Sequence, residues 1–386
     1  MYGGDQRARG SGSSQEIIAM NILYVVNHLN VGGITSYCMT LATGMKKKGH
    51  SIFIASSGGQ LLGKFTDEGF QYIPIPIDTK KEVGPKILAC AFKLLSAVRK
   101  NNIDIVHTHS RTTQVVGCLV SRKTGVLHVT TWHGFFKKRL FRRLFPCWAD
   151  KVIAISEPVK EHLISDFKVD EARVRVIHNG IDVVRFQPNR TREEVAIKTE
   201  FGLRGGPVIG IVGRLSDVKG HSYLIEAMRT IAGAFPHAQL LIVGEGKMQK
   251  ELVNLVTRMG IEKNVFFVHS VLNTARVLSI MDVFVMPSLK EGLGLALMEA
   301  MASGLAVVGS DIGGIKSLIR NGENGFLVKP QDSAALSCAI MELLKDPQMR
   351  QRFGSEARKS IQENFSETAM VDQTERLYQE CVHARN

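Results

Sequence analysis

The residues best suited to chemistry lie in a segment that reads EGLGLALMEAMASGLAVVGSDIGG and spans residues 291–314. Glu291 and Glu299 bracket seven residues, of which Gly292 and Gly294 leave the backbone bare. If these glycines open a helix, its backbone N–H groups form an anion site at the positive end. Carboxylates accept hydrogen bonds from paired hydroxyls, and eight residues of helix rise about 12 Å. The pattern favours a phosphorylated polyhydroxyl ligand, although such turns and glutamate pairs also arise without function.

Two cations follow the first strand predicted for the second half of the chain. Arg214 and Lys219 lie in the run GIVGRLSDVKG, which covers residues 210–220. A guanidinium fork and an ammonium group are suited to binding a diphosphate. The alternative is a pair of solvated surface cations. Their position directly after a buried strand leaves both interpretations open.

A glycine turn follows the first predicted strand of the chain. Gly32 and Gly33 join that strand to a helix, and a bare backbone at this point approaches an anion closely. The run lacks the full Gly-x-Gly-x-x-Gly pattern of dinucleotide sites. Taken alone, the two glycines favour a plain turn.

Histidines end two neighbouring strands of the first half. His107 and His109 suggest a metal site, but side chains alternate between the faces of a strand. We therefore expect this pair to point to opposite faces and not to share an ion, with one of them in the core. No acidic or cysteine partner lies at ligand spacing. His133, which precedes Gly134, is expected to be the more exposed to a ligand site.

The most basic stretch of the chain is FFKKRLFRRLF, residues 135–145. Its alternation of cations and large apolar residues is typical of a helix on an anionic membrane surface. The alternatives are a helix that packs its Phe residues internally, and an RNA-binding segment. No recognised nucleic-acid module surrounds the stretch, so we predict a membrane or lipid-phosphate contact and no nucleic-acid partner. The cations assigned to this contact are Lys137, Lys138, Arg139, Arg142 and Arg143.

Length and charge limit the class of protein. The chain has 386 residues, more than one core usually holds, so two domains are expected. The net charge is +13, and residues 191–386 hold 22 basic and 22 acidic residues, so the first half carries all of the excess. This asymmetry points to a polyanionic or anionic-membrane partner for the first half.

The lack of a recognisable targeting signal and the pattern of cysteines predict a cytoplasmic protein. No apolar run reaches the length of a membrane span, and residues 1–19 are polar and rich in Gly and Ser. We predict that residues 1–19 form a disordered tail. The six cysteines lack the spacing of a zinc or redox site and are expected to be reduced thiols.

Strand-like and helical stretches alternate along the chain, which predicts parallel α/β layers. Six strand-like runs lie on each side of a polar stretch, and YIPIPI at 72–77 can only be an edge strand or an extended loop. Two doubly wound, Rossmann-like domains with a cleft between them are therefore expected. The predicted division is 20–185 for the first domain, 186–206 for the linker, 207–365 for the second domain, and 366–386 for a helix that crosses back.

In their order and spacing, these residues resemble the family-4 retaining glycosyltransferases, and the likeness covers about residues 20–382. The resemblance implies the GT-B fold of two Rossmann-like domains, in which residues 20–185 would bind the acceptor and residues 207–365 the nucleotide sugar. The matching positions are Gly32 and Gly33, Thr131 to Gly134, Val176 to Asp182, Gly213 and Arg214, Lys219 and Gly220, Pro287 and Ser288, and Glu291 with Glu299.

The resemblance also implies a role for each matching position. Glu299 would hold the ribose of a nucleotide. Arg214 and Lys219 would clamp the diphosphate, and His133 would lie near the sugar and assist catalysis. Sugar hydroxyls and phosphate would be held by Glu291, Gly292, Leu293 and Gly294, and the rest of the donor site would include Gly32, Gly33 and Gly244.

The family transfers sugar with retention and without a metal, so the resemblance implies no cofactor besides the nucleoside diphosphate sugar. The absence of an Asp-x-Asp motif agrees with that expectation. The expected acceptor is a lipid-linked or lipopolysaccharide-type glycan, with the protein held peripherally at the inner membrane face. A sugar-nucleotide epimerase of the same fold and an inactive membrane-associated binding protein are the alternatives. His269 and Ser270 stand where the family often has a glycine, so the base is left open.

Overall fold

The computed structural model describes residues 19–79, 81–136, 142, 145–188 and 193–385. The predicted tail, except Ala19, lies outside these residues. So do four of the five cations assigned to a membrane contact, namely Lys137, Lys138, Arg139 and Arg143.

The first half of the chain forms a seven-stranded parallel sheet with the order β3-β2-β1-β4-β5-β6-β7. Most of its strand residues are buried on both faces, as is usual in a parallel sheet covered by helices. Ile22 of the first strand pairs with Ile52 on one side and Ile105 on the other. The strands are β1 Asn21–Val25, β2 Ser51–Ser56, β3 Gln71–Pro74, β4 Ile105–Thr108, β5 Leu127–Trp132, β6 Lys151–Ala154 and β7 Val174–Val176.

Helices cover both faces of this sheet. One apolar cluster joins the sheet to α3, through Ile87 and Leu94, and to α4, through Val116. A second cluster on the other face includes Tyr37 and Leu41 of α1. The helices are α1 Gly33–Lys47, α2 Leu62–Asp67, α3 Pro85–Lys100, α4 Arg111–Thr124 and α5 Glu157–Phe167.

The second half repeats this arrangement with six parallel strands in the order β10-β9-β8-β11-β12-β13. Its strands are β8 Val208–Val212, β9 Gln239–Val243, β10 Val265–Val268, β11 Val283–Met286, β12 Ala306–Ser310 and β13 Phe326–Val328. Its helices are α6 Glu194–Glu200, α7 His221–Ala234, α8 Gln249–Met259, α9 Thr274–Leu278, α10 Leu295–Ala302, α11 Ser333–Lys345 and α12 Pro347–Asn364. The predicted fold class, two doubly wound parallel α/β domains, is confirmed.

The two halves pack against each other through one continuous apolar cluster. Trp132 and Ile155 from the first sheet belong to the same cluster as Met286 and Leu293 from the second. In each sheet the strand order reverses beside the first strand, and ligands of such sheets bind at the carboxyl ends of the strands near that point.

The last helix, α13 Glu367–His383, packs on the first half of the chain. Ile181 forms a parallel bridge with Ser366, and its amide N–H donates to the carbonyl of Phe365 at 2.9 Å. Val371 and Tyr378 are buried in the same apolar cluster as helix α1. None of the helices in the described part of the chain is long and apolar enough to cross a bilayer.

Candidate active site

The segment that carries the two glutamates forms a turn followed by a short helix. Gly294 precedes α10 with a φ of 99°, in the left-handed region that favours glycine. Glu299 lies on the helix, and Glu291 lies in the turn before it. Gly292 and Leu293 are buried, whereas both glutamates are half-buried. The predicted opening of a helix by these glycines is therefore present.

This turn contacts the end of β5 in the other domain. A side chain at Gly292 would place its Cβ 2.9 Å from the His133 carbonyl oxygen and 2.9 Å from Gly134 Cα. The Ser156 hydroxyl donates to the Gly292 carbonyl at 2.6 Å. Glycine is thus required at 292 because the backbones of two domains meet there.

A second pair of glycines holds the same turn from behind. The Gly314 amide N–H donates to the Glu291 carbonyl at 3.1 Å. A Cβ at Gly314 would overlap the Gly292 carbonyl, and one at Gly313 would lie 2.6 Å from the Glu291 carbonyl oxygen. Gly313 and Gly314 therefore leave the space that the backbone of the 291–294 turn occupies.

The predicted diphosphate cations lie beside this turn. The Lys219 ammonium forms an ion pair with the Glu291 carboxylate, and both side chains are half-buried. Arg214 is exposed. The amide N–H of Leu289 donates to the Val218 carbonyl at 2.8 Å, which joins the two loops. The structure thus brings Lys219 and Glu291 together, next to the first turn of α10.

Gly244 has a packing reason of its own. Its φ is 148°, and a Cβ at this position would overlap the Gly213 carbonyl. Its amide N–H donates to the Val268 carbonyl at 2.9 Å. This N–H is therefore already engaged, and the assignment of Gly244 to the donor site stays a prediction.

Glu299 has a strongly perturbed acidity. Burial raises the pKa of its carboxyl group to about 7, against the opposing effects of a hydrogen bond with Thr274 and the charge of Arg185. Arg185 also donates to the Leu272 carbonyl at 3.3 Å. Such perturbation is common where a carboxylate binds a ligand.

The glycine turn of the first domain faces the same helix. A Cβ at Gly33 would lie 3.8 Å from a methyl carbon of Leu295, the first residue of α10. Gly32 faces open space. The carboxyl end of β1 and the start of α10 therefore line the two sides of one cleft.

The expectation that His107 and His109 point to opposite faces of the sheet was wrong. Residues two apart on a strand line one face, since only successive residues alternate. The centroids of the two imidazole rings are 4.3 Å apart, and both residues are buried. Within the described residues, no group of three or more His, Cys, Asp and Glu side chains has the arrangement of a metal site.

His133 is half-buried at the end of β5. Burial lowers the pKa of its imidazole to about 3, so the ring is neutral near pH 7. Its Nε2 lies 3.3 Å from Nδ1 of His109, and the Tyr37 ring packs edge-on against it at 4.8 Å between centroids. The structure places the backbone of this histidine next to the 291–294 turn, and its role in catalysis stays a prediction.

The prediction of an outward-facing cationic helix is wrong for Arg142. Its guanidinium forms an ion pair with Glu82 at 2.6 Å and lies over the Phe136 ring, with 11% of its side chain exposed. Phe136 packs on Trp132, and Phe135 contacts the Lys290 ammonium. Inside this segment, the described Phe135, Phe136 and Arg142 follow the internally packed alternative, because a buried carboxylate draws the arginine inward.

Sequence analysis missed Ser156, Gly313, Gly314 and His109 as parts of this site. Gly313 and Gly314 stand at the end of the segment that first drew attention, which was a usable signal. Ser156 and its partner Gly292 are 136 residues apart, and no local pattern links them.

Comparison with known families fits this geometry. Residues 196–360 match the family described as glycosyl transferases group 1, and residues 31–185 match glycosyltransferase family 4. An Escherichia coli galactosyltransferase is 31% identical over 312 residues, with 77% of this chain and 80% of that protein covered. The chain is a family-4 glycosyltransferase. The resemblance predicted from the motifs is confirmed.

Solved structures of other glycosyltransferases share the fold of this family-4 protein. A glycosyltransferase from Rickettsia africae superposes with a TM-score of 0.83 at 25% identity, covering 94% of this chain and 98% of that one. Anabaena HepE, solved with UDP and glucose, gives a TM-score of 0.83 at 22% identity over 93% of this chain and 99% of its own. The GT-B architecture is therefore common to all three.

Proposed function

We propose that this glycosyltransferase moves a sugar from a nucleoside diphosphate sugar to an acceptor hydroxyl, with retention of configuration and without a metal. The observation that carries the proposal is the meeting of His133 with the turn at 291–294 and the Lys219–Glu291 ion pair in one interdomain cleft. That cleft offers a cation, helix N–H groups and two carboxylates within one short stretch. These are the groups that a sugar diphosphate needs.

The donor fits this cleft in one direction. The ribose lies at Glu299, which accepts hydrogen bonds from its hydroxyls once the carboxyl group is ionised. The diphosphate lies at the start of α10, between Lys219, Arg214 and the facing turn at Gly33. The sugar lies toward Glu291 and His133. Lys219 is paired with Glu291 in this structure, so a diphosphate must share or replace that partner.

The reaction needs only these groups. The acceptor oxygen bonds to the anomeric carbon on the face from which the diphosphate leaves, and the bond from that carbon to the phosphate oxygen breaks. The departing oxygen takes the electron pair and then the acceptor proton. Lys219 and Arg214 neutralise the charge that develops on the diphosphate. Because two cations neutralise this negative charge, the proposal requires no divalent ion. Transfer should therefore persist in excess EDTA.

A lipid-linked acceptor is favoured by the surface next to the cleft. Three large apolar side chains around the start of α3 are exposed, namely Val83, Leu88 and Phe92 at 58%, 55% and 71%. Phe145 is also exposed, and Arg111 joins its carbonyl to Glu82, the neighbour of Val83. The Escherichia coli relative is named for an acceptor linked to diphosphoundecaprenol. We define Val83, Leu88, Phe92 and Phe145 as the α3 patch and propose that it contacts the anionic inner membrane face.

The donor site is tested by transfer assays with a panel of nucleoside diphosphate sugars and lipid-linked acceptors. Glu299→Ala and Arg214→Ala should each lower transfer about tenfold to a hundredfold, because each removes a charge-assisted hydrogen bond. Glu323→Ala is the matched control, since this exposed carboxylate pairs with Arg320 on the surface. Unchanged transfer in either site variant would contradict the assignment of the donor site. Rearrangement of the donor sugar in the absence of an acceptor would instead indicate an epimerase.

The α3 patch is tested by sedimentation with phosphatidylglycerol vesicles. Leu88→Ser combined with Phe92→Ser should weaken binding about tenfold or more, because the burial of two large apolar side chains in the bilayer is lost. Val195→Ser removes an equally exposed apolar side chain on the second domain and should leave binding unchanged. Equal binding of the double variant and the wild type would contradict the membrane contact.

A further inference from the structure

A second histidine lies directly beneath His133. Nδ1 of His109 is 3.3 Å from Nε2 of His133 in hydrogen-bond geometry. His109 is 1% exposed, and its other nitrogen, Nε2, is buried without a hydrogen-bond partner. Nδ1 of His133 has no hydrogen-bond partner in the described part of the chain and is not among the buried unpaired atoms, so it faces solvent. The two rings form a chain from the core to the cleft.

Among the described residues, aromatic and imidazole rings surround His109. The His107 ring lies 4.3 Å away, and the rings of Tyr24 and Tyr37 lie 5.8 Å and 5.6 Å away. Both nitrogens of His107 are occupied, by the Tyr378 hydroxyl at 2.5 Å and the Thr131 hydroxyl at 2.7 Å. Burial and the neighbouring histidines His107 and His133 keep the pKa of His109 well below its usual range.

The position of one proton then follows from the unpaired nitrogen. A neutral His109 with its proton on Nε2 would bury an N–H donor without an acceptor, which is rare and costly in folded proteins. With the proton on Nδ1, the unpaired Nε2 is only an unused acceptor. In that tautomer His109 donates to Nε2 of His133. A neutral His133 must then carry its own proton on Nδ1, the nitrogen that faces the cleft.

We propose that His109 is a positioning residue that holds His133 as the Nδ1–H tautomer, so that His133 donates a hydrogen bond to an oxygen of the sugar substrate. The inference rests on the proposed function for the identity of that substrate. It assigns His133 the role of a neutral donor and not of a general base. The second-domain turn at Gly292 abuts the His133 carbonyl, which places this donor beside the sugar end of the cleft.

The tautomer is measured directly by ¹⁵N NMR of the substrate-free, full-length protein labelled at histidine. We expect a pyrrole-type Nδ1 and a pyridine-type Nε2 for His133, unchanged between pH 6 and 8. The opposite pattern in the wild type would overturn the proposal. This measurement uses no substrate, so its failure is separate from a failure of the transfer assay.

Two substitutions test the role of His109. His109→Asn keeps an amide N–H near the position of Nδ1 and should preserve the tautomer of His133. His109→Leu removes the donor, so His133 should lose the single Nδ1–H form and kcat should fall about tenfold or more, with little change in the donor KM. His128→Asn is the control, because His128 is equally buried and bonds to Thr108 on the other face of β4. If His109→Leu and His109→Asn have the same effect on the tautomer of His133 and on kcat, His109 has only a packing role.

Discussion

At Glu299, burial and ligand binding favour different protonation states of one carboxyl group. The surroundings raise its pKa from 4.5 to about 7, so the substrate-free site holds a largely protonated carboxyl in mildly acidic solution. A nucleotide ribose needs an acceptor, and the ionised form accepts at both oxygens. Binding of a ribose should therefore lower the pKa of Glu299 from the value that burial sets.

Glu299→Gln tests this effect through stability. Between pH 4.5 and 7 the unfolded carboxyl ionises while the folded one stays protonated, so the wild type loses stability as pH rises. Relative to the glutamine variant, its free energy of unfolding should fall by up to about 3 kcal/mol over this range and stay level above it. Urea unfolding of both proteins at pH 4.5, 6 and 8 measures the difference. A difference that does not vary with pH contradicts the raised pKa.

At the scale of elements, four glycines set the position of the 291–294 turn. Gly294 allows the left-handed backbone before α10, whereas Gly292, Gly313 and Gly314 leave room for backbones to meet. The turn therefore depends on β5 of one domain and on the loop after β12 of its own domain. A loop with this many neighbours is preorganised for its ligand.

Gly314→Ala should displace this turn, because the added Cβ overlaps the Gly292 carbonyl. We expect transfer to fall about tenfold or more, since small misplacements of catalytic groups are costly. Circular dichroism should show an intact fold. Gly63→Ala is the control, because a Cβ at that helical position meets nothing within 4 Å. Full activity of the Gly314 variant would show that the turn does not need its present position.

At the scale of the whole molecule, the C-terminal helix contributes to the hydrophobic core of the N-terminal domain. Helix α13 buries Met370, Val371, Leu377 and Tyr378 against the first sheet. Glu375 accepts from Lys48 at 2.7 Å and lies 3.0 Å from His50 Nε2. The final helix thus ties the second domain to the first behind the cleft.

Truncation before Ser366 should therefore destabilise the first domain. Loss of several buried apolar side chains, each worth about 2–5 kcal/mol, exceeds the stability of a typical domain. Thermal unfolding followed by circular dichroism should show a lower or broadened transition. Truncation after Ala384 is the control, because Arg385 makes partly exposed contacts, namely an ion pair with Asp150 and a hydrogen bond to the Gly125 carbonyl, and should contribute about 1 kcal/mol or less. Equal melting of both truncated proteins would contradict the role of α13.

Local patterns were sufficient for the elements and for part of the site. The proline-containing run at 72–77, expected to be an edge strand or an extended loop, contributes to β3, the outermost strand of the first sheet. Local patterns drew attention to Glu291 and Lys219, although they left a non-functional interpretation open, and the two side chains do form an ion pair. Arg142 was assigned wrongly, because its partner Glu82 is 60 residues away and no periodicity reveals a long-range ion pair.

By itself, the sequence determined two parallel α/β domains, because the hydrophobic patterns of buried strands and amphipathic helices involve residues that are close together in the chain. It also indicated several residues at the ends of strands, among them His133, which follows β5, and the Gly213–Arg214 pair, which follows β8. Only the tertiary structure decided three contacts of the site. The Ser156 hydroxyl donates to the Gly292 carbonyl, Nδ1 of His109 lies beside Nε2 of His133, and Arg142 pairs with Glu82. Each of these contacts joins residues that come close only when the sheets and domains have packed, so their free energy depends on the whole fold and not on local spacing.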